Sequence, residues 1–334
     1  MTVVAVDMGG TYLRLAVADD TGQLRRYARL RMPKSQSPFD GSQIWEFVLD
    51  SIARYVADVE RRMQTVHAVS MAVPGPVTDG RRLVAAPTIT GHEPIPDLAG
   101  ALEARTGRPV HLVNDVSAAA WHLGEYLDFD RFFIVTVSSG IGGKMFDRRH
   151  ALRVLDNEPY AGEIGHLVVD TKPGAAPCDC GGRGHLGAIS SGRGTERLAQ
   201  RLASRDDAHF RGSAVARMLN DSRVAITNEE HLIPAALNGD LWSLSVIDRA
   251  AQPLAHLLSA LIASVGVDRI VVIGGFAQRL GAVYKDMLSG LISKHLSARA
   301  FSRFGGNRIV VCDDGQEICL AGAVAFYRAR YNVQ

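Results

Sequence analysis

Short unbroken apolar runs alternate along the chain with longer stretches in which apolar residues recur at helical spacing, a pattern that predicts an α/β architecture. Val3-Val4-Ala5-Val6 reads as a buried strand and runs into Asp7-Met8-Gly9-Gly10-Thr11, with a second extended segment at 13–18. The same plan recurs later. A strand at 132–137 leads into Ser138-Ser139-Gly140-Ile141-Gly142-Gly143, and another extended stretch follows at 144–146. Two strand–glycine turn–strand units suggest a duplicated architecture. Further strands are expected at 67–73, ending in Pro74-Gly75-Pro76, and at 110–113, ending in Asn114-Asp115. A strand at 269–273 ends in Gly274-Gly275, and a last one is expected at 308–311. Helical spacing marks 116–127, 195–204, 241–263, 277–296 and 317 to about 330.

Composition narrows the class. With 334 residues, 47% hydrophobic and 22% charged, the chain has the make-up of a soluble globular protein of two ordinary domains or one large one. Lys+Arg 37 against Asp+Glu 35 leaves a net charge of +2, which gives no electrostatic reason to expect a nucleic-acid or membrane-surface partner. The longest apolar stretch, 257–267, is too short to span a bilayer. The four cysteines, at 178, 180, 312 and 319, do not suggest a disulfide framework, and no secretory signal is expected, since the opening residues show no basic region followed by an apolar stretch and cleavage site. A cytoplasmic setting is expected. No low-complexity linker divides the chain, so a domain boundary must fall in an ordinary loop or helix.

Chemistry concentrates at the turns. Cys178-Asp179-Cys180-Gly-Gly-Arg-Gly-His185 follows His166, and two thiols with two imidazoles can close a tetrahedral zinc site. The alternative is a pair of unpaired thiols in a glycine-rich surface loop. Glu163 lies three residues before His166, so a metal there could fix a polar loop at a binding site. Asp115 sits where a buried strand meets a helix, and a carboxylate at a strand's carboxyl end can take a proton from an attacking hydroxyl. Asp and Asn are also preferred helix N-caps, so capping competes with catalysis at this position.

Asp7 could hold Mg²⁺ while the amides of Gly9-Gly10 and the Thr11 hydroxyl meet phosphate oxygens, or it could be a turn aspartate bonded to its own backbone. Both glycine turns join strand to strand, so neither is a dinucleotide fingerprint, and no G-x-x-x-x-G-K-[ST] loop occurs. Such turns can bind phosphate through backbone N–H groups, or can need glycine only for positive φ. Gly274-Gly275 could admit an adenosine close to the backbone or serve packing alone.

Asp7-Met-Gly-Gly-Thr11, Asn114-Asp115, Ser139-Gly-Ile-Gly-Gly143, Gly162-Glu-Ile-Gly-His166 and the cysteine loop occur in this order. The ordered set resembles the ROK family of bacterial sugar kinases, repressors and open reading frames, from Val3 to about Tyr327. The resemblance implies an actin-like ATPase (ribonuclease H-like) fold of two domains with a cleft between them, expected at 1–116 plus 318–334 and at 117–317. It implies an ATP-dependent sugar kinase acting on a hexose hydroxyl, most often the 6-hydroxyl, with Asp115 as general base. Gly75, Asn114, Asp115, Glu163 and His166 would line the sugar site. Asp7, Gly9, Gly10, Thr11, Ser139, Gly140, Gly142 and Gly143 would surround the ATP phosphates with Mg²⁺, and Gly274-Gly275 would lie near adenosine. His166, Cys178, Cys180 and His185 would hold a structural Zn²⁺. A homodimer or homotetramer is also implied.

Three departures separate the chain from the usual pattern of the family. His185 stands where a third cysteine is usual, making the expected site Cys₂His₂. Gly187 stands where a sugar-binding glutamate is usual, and His92-Glu93 where a tryptophan is common. The missing carboxylate leaves room for a different acceptor, such as an aminohexose of the kanosamine type made in antibiotic biosynthesis. The repressor branch carries a helix-turn-helix before the first glycine turn, and with Asp7 so near the start of the sequence a repressor is not expected. A non-catalytic sugar sensor is disfavoured by the presence of Asp7, Thr11 and Asp115.

Overall fold

A computed structural model of the chain describes residues 1–33, 41–62, 65–86, 89, 95–151, 153–156, 158, 160–205, 208–219, 225–296, 308–312 and 317–331. His92 and Glu93 lie outside the described residues. Contacts divide the chain into two compact units, one of residues 1–128, 144–161 and 314–334 and the other of 129–143 and 162–313.

The first unit is built on a five-stranded sheet of order β3-β2-β1-β4-β7. β1 (Val3–Met8) pairs antiparallel with β2 (Tyr12–Ala18), which pairs antiparallel with β3 (Leu24–Arg31). On its other side β1 runs parallel to β4 (Ala68–Val73), and β4 parallel to β7 (Val110–Asn114). A two-stranded ribbon, β5 (Val77–Thr78) and β6 (Arg82–Leu83), follows β4.

All six residues of β1 are buried because helices cover both faces of the sheet. Val4, Val6 and Met8 pack with Leu13 and Leu15 against Ile44, Trp45, Val48 and Ile52 of α1 (Gly41–Arg62). Val3 and Ala5 face the other way, with Ala16, Ala18 and Ala68, toward Leu320, Val324 and Tyr327 of the C-terminal helix (Ile318–Tyr331). α2 (Leu98–Thr106) and α3 (Asp115–Tyr126) flank β7. A Cβ on Gly322 would lie 2.0 Å from the Ala118 carbonyl oxygen, so glycine permits the C-terminal helix to seat on α3. This packing keeps α3 in the first unit, beyond the boundary expected at 116.

The second unit carries β8, β10, β11 and the start of β9, in a four-stranded sheet of order β11-β10-β8-β9. β8 (Arg131–Val137) neighbours β9 (Ile141–Asp147), and β10 (Arg269–Ile273) runs parallel to β8 and to β11 (Ile309–Val311). The sequence β8-turn-β9, with β10 and β11 added in parallel, repeats the plan of β1-turn-β2 with β4 and β7. Helices α4 (Leu186–Ser190), α5 (Gly192–Ala203), α6 (Leu241–Val265), α7 (Gly275–Leu280) and α8 (Ala282–His295) follow, and the C-terminal helix is α9.

Three local features differ from expectation. β9 starts at Ile141, so Gly142 and Gly143 are strand residues and the turn itself is Ser138–Gly140. Gly143 is needed there for packing, since a Cβ would meet the Phe133 ring at 2.4 Å. The single helix expected over 277–296 is broken into α7 and α8 at Gly281, which takes φ +53°. β3, α1 and α2 were not anticipated, although Ile44, Trp45, Val48, Leu49, Ile52, Val56 and Val59 carry helical spacing. No helix among the described residues is long and apolar enough to cross a membrane.

Candidate active site

In the first unit the candidate residues gather at the carboxyl ends of the parallel strands β1, β4 and β7, where α/β sheets place their ligands. Register puts Asp7 opposite Ala72, and Val73 opposite Asn114. Gly75, just past β4, takes φ +115°, and a Cβ there would lie 2.0 Å from the Ala85 carbonyl oxygen. Only glycine satisfies both conditions.

The Gly75 carbonyl accepts a hydrogen bond from Asn114 Nδ2 at 3.0 Å, tying the end of β4 to the end of β7. Asn114 is the N-cap of α3: its Oδ1 accepts from Val116 N at 3.0 Å and Ser117 N at 3.1 Å. Asp115 is the first residue of the helix, half-buried, and its Oδ1 accepts from Asn114 Nδ2 at 3.1 Å and Val116 N at 2.8 Å. Asn114 is therefore the N-cap, and Asp115 begins the helix beside it.

Asp7 is buried in β1, directly opposite Arg14 of β2, and its Oδ2 accepts from Arg14 Nη1 at 2.7 Å. Burial pushes the Asp7 carboxyl up, and the adjacent guanidinium pulls it back. Arg14 was not anticipated. A Cβ on Gly9 would lie 3.9 Å from Arg14 Nη1, so this cation flanks the Gly9-Gly10-Thr11 turn. The turn itself is closed by Gly9 N donating to the Tyr12 carbonyl at 2.9 Å. Cys319 of α9 donates to the Asp115 carbonyl at 3.6 Å, and burial pushes its thiol well up, reinforced by the charges of Asp7 and Asp115. The two carboxylates therefore occupy one electrostatic neighbourhood.

In the second unit three glycine-bearing segments meet at the carboxyl ends of β8 and β10. Gly192 N donates to the Ser138 carbonyl at 2.7 Å, and Arg193 Nε donates to the Ser139 carbonyl at 2.8 Å. Gly274 takes φ +100°, and a Cβ on it would sit 2.7 Å from the Val137 carbonyl oxygen. Asn228 Nδ2 donates to the Gly192 carbonyl at 2.9 Å. Ser191 caps α5 by accepting from Gly194 N at 3.1 Å. The segment 191–194 and Asn228 were missed by sequence reasoning. Ser-Gly-x-Gly ahead of an amphipathic helix was the available signal.

The Gly162–His166 loop sits on the same unit. Gly143 N donates to the Gly162 carbonyl at 2.8 Å, and a Cβ on Gly165 would meet the Ile141 carbonyl oxygen at 2.2 Å. Glu163 therefore stands beside the start of β9, at the head of a 3₁₀ turn over Ile164–His166. One ligand atom from each of His166, Cys178, Cys180 and His185 lies within 4.8 Å of the others. Cys178 Sγ is 3.9 Å from His166 Nδ1, and Cys180 Sγ is 3.3 Å from His185 Nδ1. Sulfur–nitrogen edges of a zinc tetrahedron are about 3.5 Å, so the four side chains fit that ion. Bridges Val168–His185 and Pro177–Arg183 frame the loop. Gly187, at the start of α4, would place a Cβ 3.1 Å from the Gly165 carbonyl oxygen.

The fold is that of the sugar kinases with the actin-like ATPase fold. The chain belongs to the ROK family, whose model matches residues 3–330. It is 37% identical to a C(7)-cyclitol 7-kinase of Streptomyces hygroscopicus subsp. jinggangensis over 86% of this chain and 82% of that one. It is 33% identical to a glucokinase of Aeropyrum pernix, covering 97% of this chain and 96% of that one. Among solved structures, a ROK family glucokinase from Streptomyces griseus in complex with glucose and AMPPNP matches at TM-score 0.72 and 25% identity, covering 97% of this chain and 98% of that one.

Proposed function

We propose that the protein phosphorylates a primary hydroxyl carried on a six-membered polyol ring, with Asp115 as general base. The observation that supports this most is the geometry at the head of α3: Asn114 caps the helix through Val116 N and Ser117 N and donates to Asp115 Oδ1, which holds the aspartate carboxylate at the carboxyl end of β7 beside the Gly75 turn. As the acceptor oxygen forms its bond to the γ-phosphorus, the bond from that phosphorus to the β,γ-bridging oxygen breaks and ADP leaves. Asp115 takes the hydroxyl proton.

Backbone N–H groups of the turns at 9–11 and 138–140 suit phosphate oxygens, with Gly274-Gly275 beside the nucleoside. Mg²⁺, when bound with ATP, neutralises charge on the phosphates. Asp7 is the residue that would hold it, since carboxylate oxygens are magnesium ligands. Gly75, Asn114, Glu163 and His166 suit the acceptor. Zinc held by His166, Cys178, Cys180 and His185 would be structural, because four protein ligands leave no open position. Its part would be to orient the loop bearing Glu163.

The acceptor class favoured is a C7-cyclitol, for two reasons: the similarity to the cyclitol kinase, and Gly187. A cyclitol has carbon in place of the ring oxygen and lacks an anomeric hydroxyl, yet its hydroxymethyl group corresponds to C6 of a hexose. An aminohexose is the second reading, again because of Gly187. ADP release with ATP·Mg²⁺ across C7-cyclitols, hexoses, N-acetylhexosamines and aminohexoses tests both. Highest kcat/KM for a C7-cyclitol is expected. Plain glucose turned over best would remove both readings, and no turnover of any ring polyol would remove the kinase assignment with them.

A further inference from the structure

We infer that Arg193 is a positioning residue of the nucleotide site and that Asp179, inside the metal loop, seats it. The inference rests on reading the Ser138–Gly140 turn as a phosphate-binding element. Arg193 is the second residue of α5, and its guanidinium joins two segments distant in the chain. Nε donates to the Ser139 carbonyl at 2.8 Å, and Nη1 lies 2.8 Å from Asp179 Oδ2. The other oxygen of Asp179 takes Arg197 Nη2 at 3.0 Å. Arg197 stands one helical turn beyond Arg193, and its Nη1 also reaches the Pro177 carbonyl at 3.4 Å.

Asp179 lies between Cys178 and Cys180. A metal gripping both flanking thiolates therefore fixes the backbone from which this carboxylate projects. The chain of contacts runs from the metal loop through Asp179 and Arg193 to Ser139. As an exposed ion pair, with side chains 43% and 51% accessible, Arg193–Asp179 contributes little to stability. Its geometry has a different consequence. A trans peptide unit points its C=O and N–H in opposite directions. Holding the Ser139 carbonyl against Arg193 thus turns the Gly140 N–H the other way, free to meet an incoming phosphate oxygen. An arginine left unseated would have to be ordered at the moment of binding, at the expense of affinity.

The sign of one substitution separates positioning from simple charge. Asp179→Asn removes a negative charge near a polyanionic ligand, so Coulomb attraction alone predicts tighter nucleotide binding. Positioning predicts weaker binding. The test is calorimetric titration of AMPPNP into zinc-analysed wild type, Asp179→Asn, Arg193→Ala, Arg193→Lys and the Asp179→Asn/Arg193→Ala double variant. The expected result is binding about twofold to fivefold weaker for Asp179→Asn and about tenfold weaker for Arg193→Ala.

Lysine should not rescue, because a single ammonium lacks the planar edges that reach both acceptors. The double variant should bind no more weakly than Arg193→Ala alone, with zinc content and acceptor affinity unchanged throughout. Equal or tighter AMPPNP binding by Asp179→Asn would overturn the inference while leaving the nucleotide reading intact. Absence of AMPPNP binding by the wild type would overturn both.

Discussion

Asn114 holds Asp115 from the side: its Nδ2 lies 3.1 Å from Asp115 Oδ1 while its own Oδ1 caps the helix that Asp115 begins. The same amide reaches the Gly75 carbonyl, so one side chain joins two strand ends and the carboxylate proposed as the base. Asp115→Asn should preserve fold and acceptor affinity and lower kcat by about 10²–10⁴. Near-normal turnover in that variant would reject the base assignment.

Asn114→Ala removes the cap as well as the restraint on Asp115. A loss of about 1 kcal/mol in unfolding free energy is expected from the cap, together with a fall in kcat that the cap loss alone does not explain. Urea unfolding and steady-state kinetics on one preparation check the pair. A stability loss without a rate effect would make Asn114 a cap only.

Gly187→Glu would place a carboxylate where this chain has none. The Gly165 carbonyl, 3.1 Å from the new Cβ, must give slightly, at a cost of order 1 kcal/mol. The ratio of kcat/KM for glucose to that for a C7-cyclitol should rise about tenfold, the worth of one hydrogen bond to a charged group. An unchanged ratio excludes Gly187 as a determinant of acceptor choice.

Metal analysis should find about one zinc per chain. Removing it with a chelator should raise the acceptor KM about tenfold or more, because the loop bearing Glu163 then loses the ion that orients it. Metal-free protein with unchanged acceptor affinity would contradict a structural role for the Cys₂His₂ site.

Gly322→Ala sets a methyl against the Ala118 carbonyl oxygen at the crossing of α9 and α3. Helix separation there should cost about 1–3 kcal/mol. Since Asp115 heads α3 and its carbonyl accepts from Cys319 of α9, kcat should fall as well. A thermal midpoint equal to wild type would show that the crossing yields without strain.

Stability should respond to acid through Glu103, whose carboxylate takes both Arg81 nitrogens, at 2.8 and 2.6 Å, and Val110 N at 3.0 Å. The Arg81 hydrogen bonds, opposed by partial burial, hold its carboxyl down at about 2, from an ordinary 4.5. A depressed carboxylate stabilises the fold above its unfolded value and loses that contribution as pH falls toward the folded one. The urea midpoint of wild type should therefore exceed that of Glu103→Gln at pH 6, and the gap should narrow below about pH 4.5. A gap independent of pH would place the effect elsewhere.

Much of the frame was legible in the residues themselves. The apolar runs at 3–6, 132–137 and 269–273 are short and are followed within three residues by glycine, so their strand character and their turns follow from local pattern and turn chemistry. Cys178, Cys180, His166 and His185 are all ligand types, and a short chain path brings them together. What only the tertiary structure decided is pairing across the sheet and between helices. The antiparallel register sets Arg14 against Asp7, packing seats Gly165 on Ile141 and Gly322 on Ala118, and α5 carries Arg193 to both Ser139 and Asp179. Periodicity states which face of an element is buried. Partners far apart in the chain are chosen by register and by how closely two backbones approach, and those depend on the whole folded unit.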